Sequence, residues 1–114
     1  MTTLTDLQNR CARTSLRRTE TEAAEPEWLT MAALWLASEA GEVATEVRKA
    51  TARRESWWTV RGRLRDELGD VLWCVAEVAT LAGLTLEECA AVQKLKQEER
   101  YGDVIALHDT EGRG

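Results

Sequence analysis

The apolar residues of this chain keep the period of an α-helix. Hydrophobic residues recur at a spacing near 3.6 almost throughout, and the single proline stands at position 26. That period, with no proline interrupting it, selects α-helix over strand. The expected fold class is therefore all-α, with four helices in one domain. At 114 residues the chain can bury roughly two-thirds of its unfolded surface, enough for one modest core. The first helix is expected to start at Thr5, where Thr5 and Gln8 fit a capping box. It presents Leu4, Leu7, Cys11 and Leu16 and fades near Thr21. Pro26 suits the first turn of a second helix that runs to Ala50 or a little beyond. A third starts near Ser56 to Thr59 and reaches Ala82, with Gly83 as its stop. Thr85 and Glu88 form a second capping box, which opens a fourth helix at Leu86 ending near Arg100. The expected domain covers residues 1–101. Periodicity is lost from Gly102 to Gly114, which read as a flexible tail.

The third helix carries a stripe of Leu64, Leu68, Val71, Leu72, Val75, Val78, Ala79 and Ala82. At 100° per residue the stripe spans about 120° of arc, a width typical of a bundle. Trp73 points away from it and needs a second buried surface, which a partner subunit supplies most simply.

Charge and cysteine usage exclude several function classes. Asp and Glu number 20 against 15 Lys and Arg, for a net charge of −5, whereas a general nucleic-acid binder carries a basic face. No run approaches the roughly 20 apolar residues of a membrane span, and MTTLTDLQNR lacks the apolar stretch of a secretory signal. Cys11, Cys74 and Cys89 have no CxxC spacing and read as reduced core thiols of a cytoplasmic protein. The one histidine, His108, falls in the expected tail, so hydrolase chemistry built on a histidine base is disfavoured.

The chemistry lies in two pairs of acids. The second helix contains Glu39-Ala40-Gly41-Glu42 and the third contains Glu67-Leu68-Gly69-Asp70. Acids three apart share a helix face and repel unless something lies between them. Each pair also holds a glycine, which costs ~1 kcal/mol in a helix interior and leaves room for another backbone or a ligand. On the helical wheel Trp28, Trp35, Glu39, Glu42 and Glu46 share one stripe, and Glu67 borders the core. A partly buried acid needs a partner. A hard divalent cation held by carboxylates of both helices meets that need, and oxygen-only ligation suits Mg²⁺ or Mn²⁺. The plainer alternative is a pair of solvated acidic faces with arginine partners. A ferritin-like di-iron site would require Glu-x-x-His on two helices, and no histidine precedes residue 108.

The stretch Leu36–Lys49, LASEAGEVATEVRK, followed by Arg65–Glu88, RDELGDVLWCVAEVATLAGLTLEE, resembles the MazG-like all-α nucleoside triphosphate pyrophosphohydrolases. That superfamily is marked by ExxE, a spacer and ExxD. Here the spacer is residues 43–66, and the resemblance covers residues 28–101. It implies a four-helix bundle completed by a second subunit, as a homodimer or homotetramer. It also implies Mg²⁺-dependent cleavage of a (deoxy)nucleoside triphosphate to the monophosphate and pyrophosphate, in nucleotide-pool control or house-cleaning. The metal-binding acids map onto Glu39, Glu42, Glu67 and Asp70. Phosphate contacts map onto QKLKQEERYGD, where Arg100 and Tyr101 match, Lys94 or Lys96 supplies a cation, and Gln97 stands where many members have Asn.

With a metal in place one carboxylate, Glu39 or Glu42, could take the proton of an attacking water. Trp28 or Trp35 could stack a base, although core packing also accounts for both. Lys49 is the member of the basic run between the acid pairs best placed for a phosphate, in a run that otherwise reads as a solvated helix end and loop. A reading from a different class is a non-catalytic helical dimer that binds a nucleotide or a protein partner.

Overall fold

A computed structural model describes the backbone of residues 2–14 and 26–113, with side chains as far as residue 102. It holds four helices: α1 (Leu4–Thr14), α2 (Pro26–Ala52), α3 (Trp57–Leu81) and α4 (Leu86–Arg113). No strand occurs among the described residues. The expected fading of the first helix near Thr21, and Leu16 with it, lie outside them.

The helix ends follow local chemistry. Thr3 and Asp6, rather than Thr5 and Gln8, close the capping box of α1. The Thr3 N–H donates to Asp6 Oδ2, and the Asp6 N–H donates to Thr3 Oγ1, each at 3.1 Å. Gln8 works over a longer range. Its Nε2 donates to the Leu84 carbonyl at 2.7 Å and to Thr80 Oγ1 at 3.3 Å, and its Oε1 accepts from the Leu86 N–H at 2.7 Å. Both ends of one amide thus serve the corner between α3 and α4. Pro26 opens α2, and Ser56 caps α3 by accepting from the Trp58 N–H at 3.2 Å. Gly83 adopts φ 74°, and the Gly83 and Leu84 N–H groups donate back to Thr80 and Ala79, which makes a Schellman stop. The Thr85–Glu88 capping box forms as expected, at 2.9 and 3.0 Å.

α4 departs from expectation. Tyr101, at φ −129° and ψ 20°, interrupts the helix, and the backbone then resumes helical geometry as far as Arg113. Arg100 therefore marks a kink rather than an end. Loss of an apolar stripe removes a packing face, but without proline it does not forbid helical backbone.

α3 packs against α2 on one side and α1 on another, while α4 packs against α1. One core cluster joins Cys11, Ala76, Ala79 and Leu86, with Leu7, Trp73 and Val75 against it. This corrects the expectation for Trp73, which lies on the side of α3 that meets α1. Because two neighbours divide the surface of α3, the expected stripe is divided too. Ala79 is buried and Leu64, Val71, Val75 and Val78 are half-buried, but Leu68, Leu72 and Ala82 are exposed. Leu68 and Leu72 line an open apolar groove with Trp57 and Leu64, flanked by Arg61 and Arg65. None of the three cysteines is in a disulfide, and Cys11 alone among them is a buried core thiol; Cys74 is half-buried and Cys89 exposed.

Candidate metal centre

The turn between α2 and α3 sets which acids meet. α2 and α3 pack as a hairpin about residues 53–56. Residues equidistant from the turn then lie opposite one another, so Glu39 faces Asp70 and Glu42 faces Glu67. One carboxylate oxygen from each of Glu39, Glu67 and Asp70 lies within 4.8 Å of the others. Glu42 is exposed and lies outside this close trio, yet it is the leading charged neighbour of Glu67.

The electrostatics are those of a site short of positive charge. Loss of hydration raises the pKa of Glu39, and the charges of Glu42 and Asp70 raise it further. Glu67 is raised in the same way, by desolvation first and then by Glu42. The Oε2 atoms of Glu39 and Glu67 are buried without a hydrogen-bond partner. A buried carboxylate oxygen with no donor is costly, and a hard cation satisfies it. The donor set therefore fits a divalent metal: oxygen ligands only, from two rigid helices, one of them open to solvent.

Glu46, on the same stripe by the helical wheel, is engaged elsewhere. The Arg63 guanidinium pairs with Glu46 through Nε and with Glu55 through Nη2. Sequence reasoning missed this triad. Its signal is that Arg63 precedes Glu67 by four residues just as Glu46 follows Glu42 by four. No other part of the described chain approaches Gly41 or Gly69: a Cβ at either would meet nothing within 4 Å.

The substrate-side candidates are dispersed. Trp35 stands one turn before Glu39 and is half-exposed, and Trp28 is half-buried. Lys49 is exposed near the end of α2, roughly 10 Å along the axis from Glu42 at 1.5 Å per residue. Arg61 lies over the Trp58 ring at 5.3 Å. On α4, Lys94 pairs with Glu98 at 3.8 Å, Gln97 is half-buried, and Arg100 and Tyr101 are exposed. α4 leaves α3 at 103°, which puts Arg100 roughly 20 Å from Asp70 by helix geometry. The carboxylates come together within one chain; the α4 residues do not join them.

A known family covers this part of the chain. The family model of the MazG nucleotide pyrophosphohydrolase domain matches residues 29–105. The chain belongs to the MazG family. The match spans α2, α3 and most of α4, and so takes in every carboxylate of the cluster. The all-helical architecture agrees with a MazG domain, and the acidic cluster suits the divalent metal on which such hydrolases typically rely. No curated protein and no solved structure gives a significant match. No single helix of this MazG domain, among the described residues, is long and apolar enough to cross a membrane.

Proposed function

We propose that this MazG domain is a Mg²⁺-dependent nucleoside triphosphate pyrophosphohydrolase that releases pyrophosphate and a (deoxy)nucleoside monophosphate. The observation that carries the reading is the carboxylate trio of Glu39, Glu67 and Asp70 with two buried, unpartnered oxygens. Those three residues and Glu42 would hold the metal; Mn²⁺ suits the same oxygens. When bound, it supplies positive charge at the α-phosphoryl group and offsets the charge of the substrate.

The remaining steps fall to side chains. Glu42 is exposed and outside the close trio, so of the four acids it would hold the metal least closely and is the one placed to accept a proton on its other oxygen, with Glu39 the alternative base. A water oxygen bonds to the α-phosphorus as its proton passes to that carboxylate. The bond from the α-phosphorus to the bridging oxygen breaks, and pyrophosphate leaves with the electron pair. Trp35, one turn from Glu39, offers a ring face to the base. Lys49 stands beyond Glu46 as a cation for the outer phosphates.

A second copy of the chain completes the site in this reading. Leu34, Leu68, Leu72 and Trp57 are all exposed beside the acidic helices. An apolar surface of this kind marks an interface, consistent with a homodimer or homotetramer. Lys94, Gln97, Arg100 and Tyr101 cannot reach the acids of their own chain, so they would contact phosphates bound to a neighbour.

A panel of the eight common NTPs and dNTPs with Mg²⁺ or Mn²⁺ tests the proposal. At least one should yield monophosphate and pyrophosphate, and Glu42→Gln and Asp70→Asn should each lower turnover by two or more orders of magnitude. Saturable nucleotide binding without turnover across the panel would instead establish the non-catalytic reading.

A further inference from the structure

The hairpin that pairs Glu39 with Asp70 and Glu42 with Glu67 has a third rung. Glu46 and Arg63 are equally far from the same turn, one helical turn closer to it than the Glu42–Glu67 rung, or about 6 Å. The first two rungs oppose like charges, and the third opposes unlike ones. Arg63 contacts Glu46 on α2 and Glu55 in the turn, and both acids are about four-fifths buried at their side chains. The planar guanidinium suits this double engagement, because its donors form a fixed fork that a lysine lacks. The hydrogen bond to Glu55 and the charges of Glu55 and Glu46 outweigh the loss of hydration, so the Arg63 pKa lies above its ordinary value.

Where neither a cation nor a proton lies between them, the acid pairs of α2 and α3 repel and push the helices apart. The Arg63–Glu46 pair is an attractive contact that spans both helices on this face, one helical turn away. We propose that Arg63 is a positioning residue: joined to Glu46 and Glu55, it holds α2 and α3 at the separation and register that bring Glu39, Glu67 and Asp70 to one cation. It touches neither metal nor substrate. The inference rests on the metal reading of the carboxylate cluster.

The test is calorimetric titration of the full-length protein with Mn²⁺, together with thermal melts. Wild type should bind Mn²⁺. Arg63→Ala should weaken the affinity by about tenfold or more, the size expected when the partners that orient ligands are lost. Arg63→Lys keeps the charge but not the fork, and should lose less affinity, though measurably. In turnover assays the Mg²⁺ concentration for half-activation should rise in both variants while kcat at saturating Mg²⁺ stays near wild type. A purely structural role would lower the melting temperature and the active fraction and leave metal affinity unchanged. Unchanged or tighter Mn²⁺ binding by folded Arg63→Ala overturns the proposal. Should Arg63→Ala fail to fold, wild-type affinity in Arg63→Lys overturns it equally. Absence of Mn²⁺ binding by wild type overturns the metal reading itself, and this inference with it.

Discussion

At the residue scale, the carboxylates carry a pH dependence whose sign follows from their surroundings. Glu39 and Glu67 are raised by desolvation first and by neighbouring acids second. An acid raised in the folded state binds protons there before it does in the unfolded chain. Folding of the metal-free protein is therefore strengthened as pH falls through the raised values, and the gain ends at the ordinary carboxyl range. Protons compete with metal for the same oxygens, so metal affinity moves the opposite way. Thermal melts in EDTA should show a higher melting temperature near pH 5 than at pH 7.5, and Mn²⁺ titration should show weaker binding at pH 5. Equal melting temperatures at the two pH values would contradict the burial and crowding assigned to Glu39 and Glu67. The four acids were legible in the sequence because a spacing of three on a helix fixes a shared face whatever the tertiary structure. Glu46 lay on that face as well, and its engagement with Arg63 was not legible, because a helical wheel says nothing about what the opposite helix presents.

At the scale of elements, most boundaries could be read from residues that act locally. Pro26, Ser56, Gly83 and the Thr85–Glu88 pair each satisfy backbone groups within a few residues. Gly83→Ala should destabilise the domain by about 1–2 kcal/mol in denaturant titration, the cost of forcing a Cβ into left-handed backbone. A Cβ there meets nothing within 4 Å, so the cost is conformational alone, and an unchanged midpoint would refute that assignment. The start of α1 was misread because Thr5-x-x-Gln8 and Thr3-x-x-Asp6 both offer capping chemistry. Only the tertiary structure gives Gln8 its partners Thr80, Leu84 and Leu86, more than seventy residues away. Trp73 shows the same limit. Its angle from the leucine stripe was legible, but the packing of α1 on that side was not.

At the scale of the whole molecule, the single chain is extended. Its radius of gyration is 17.7 Å, against about 13 Å for a compact domain of this length. Among the described residues the largest fully buried side chains are those of Val60 and Cys11, while Leu34, Leu68, Leu72 and Trp57 face outward. The sequence marked these leucines of α3 as core, and burial by a second copy would make them so. The double substitution Leu68→Asp and Leu72→Asp should shift the protein to a slower-sedimenting monomer in analytical ultracentrifugation; a wild type that is already monomeric would contradict the proposed assembly.

In the proposed reaction the α2–α3 carboxylates direct water to the α-phosphorus of a nucleoside triphosphate. Turnover of the preferred nucleotide in ¹⁸O-labelled water with Mg²⁺, read by ³¹P NMR and mass spectrometry, tests it most directly. The expected result is one labelled oxygen in the nucleoside monophosphate, unlabelled pyrophosphate, and the same steep loss of turnover in Asp70→Asn. Label in pyrophosphate or in orthophosphate, or nucleoside diphosphate as the product, would contradict it.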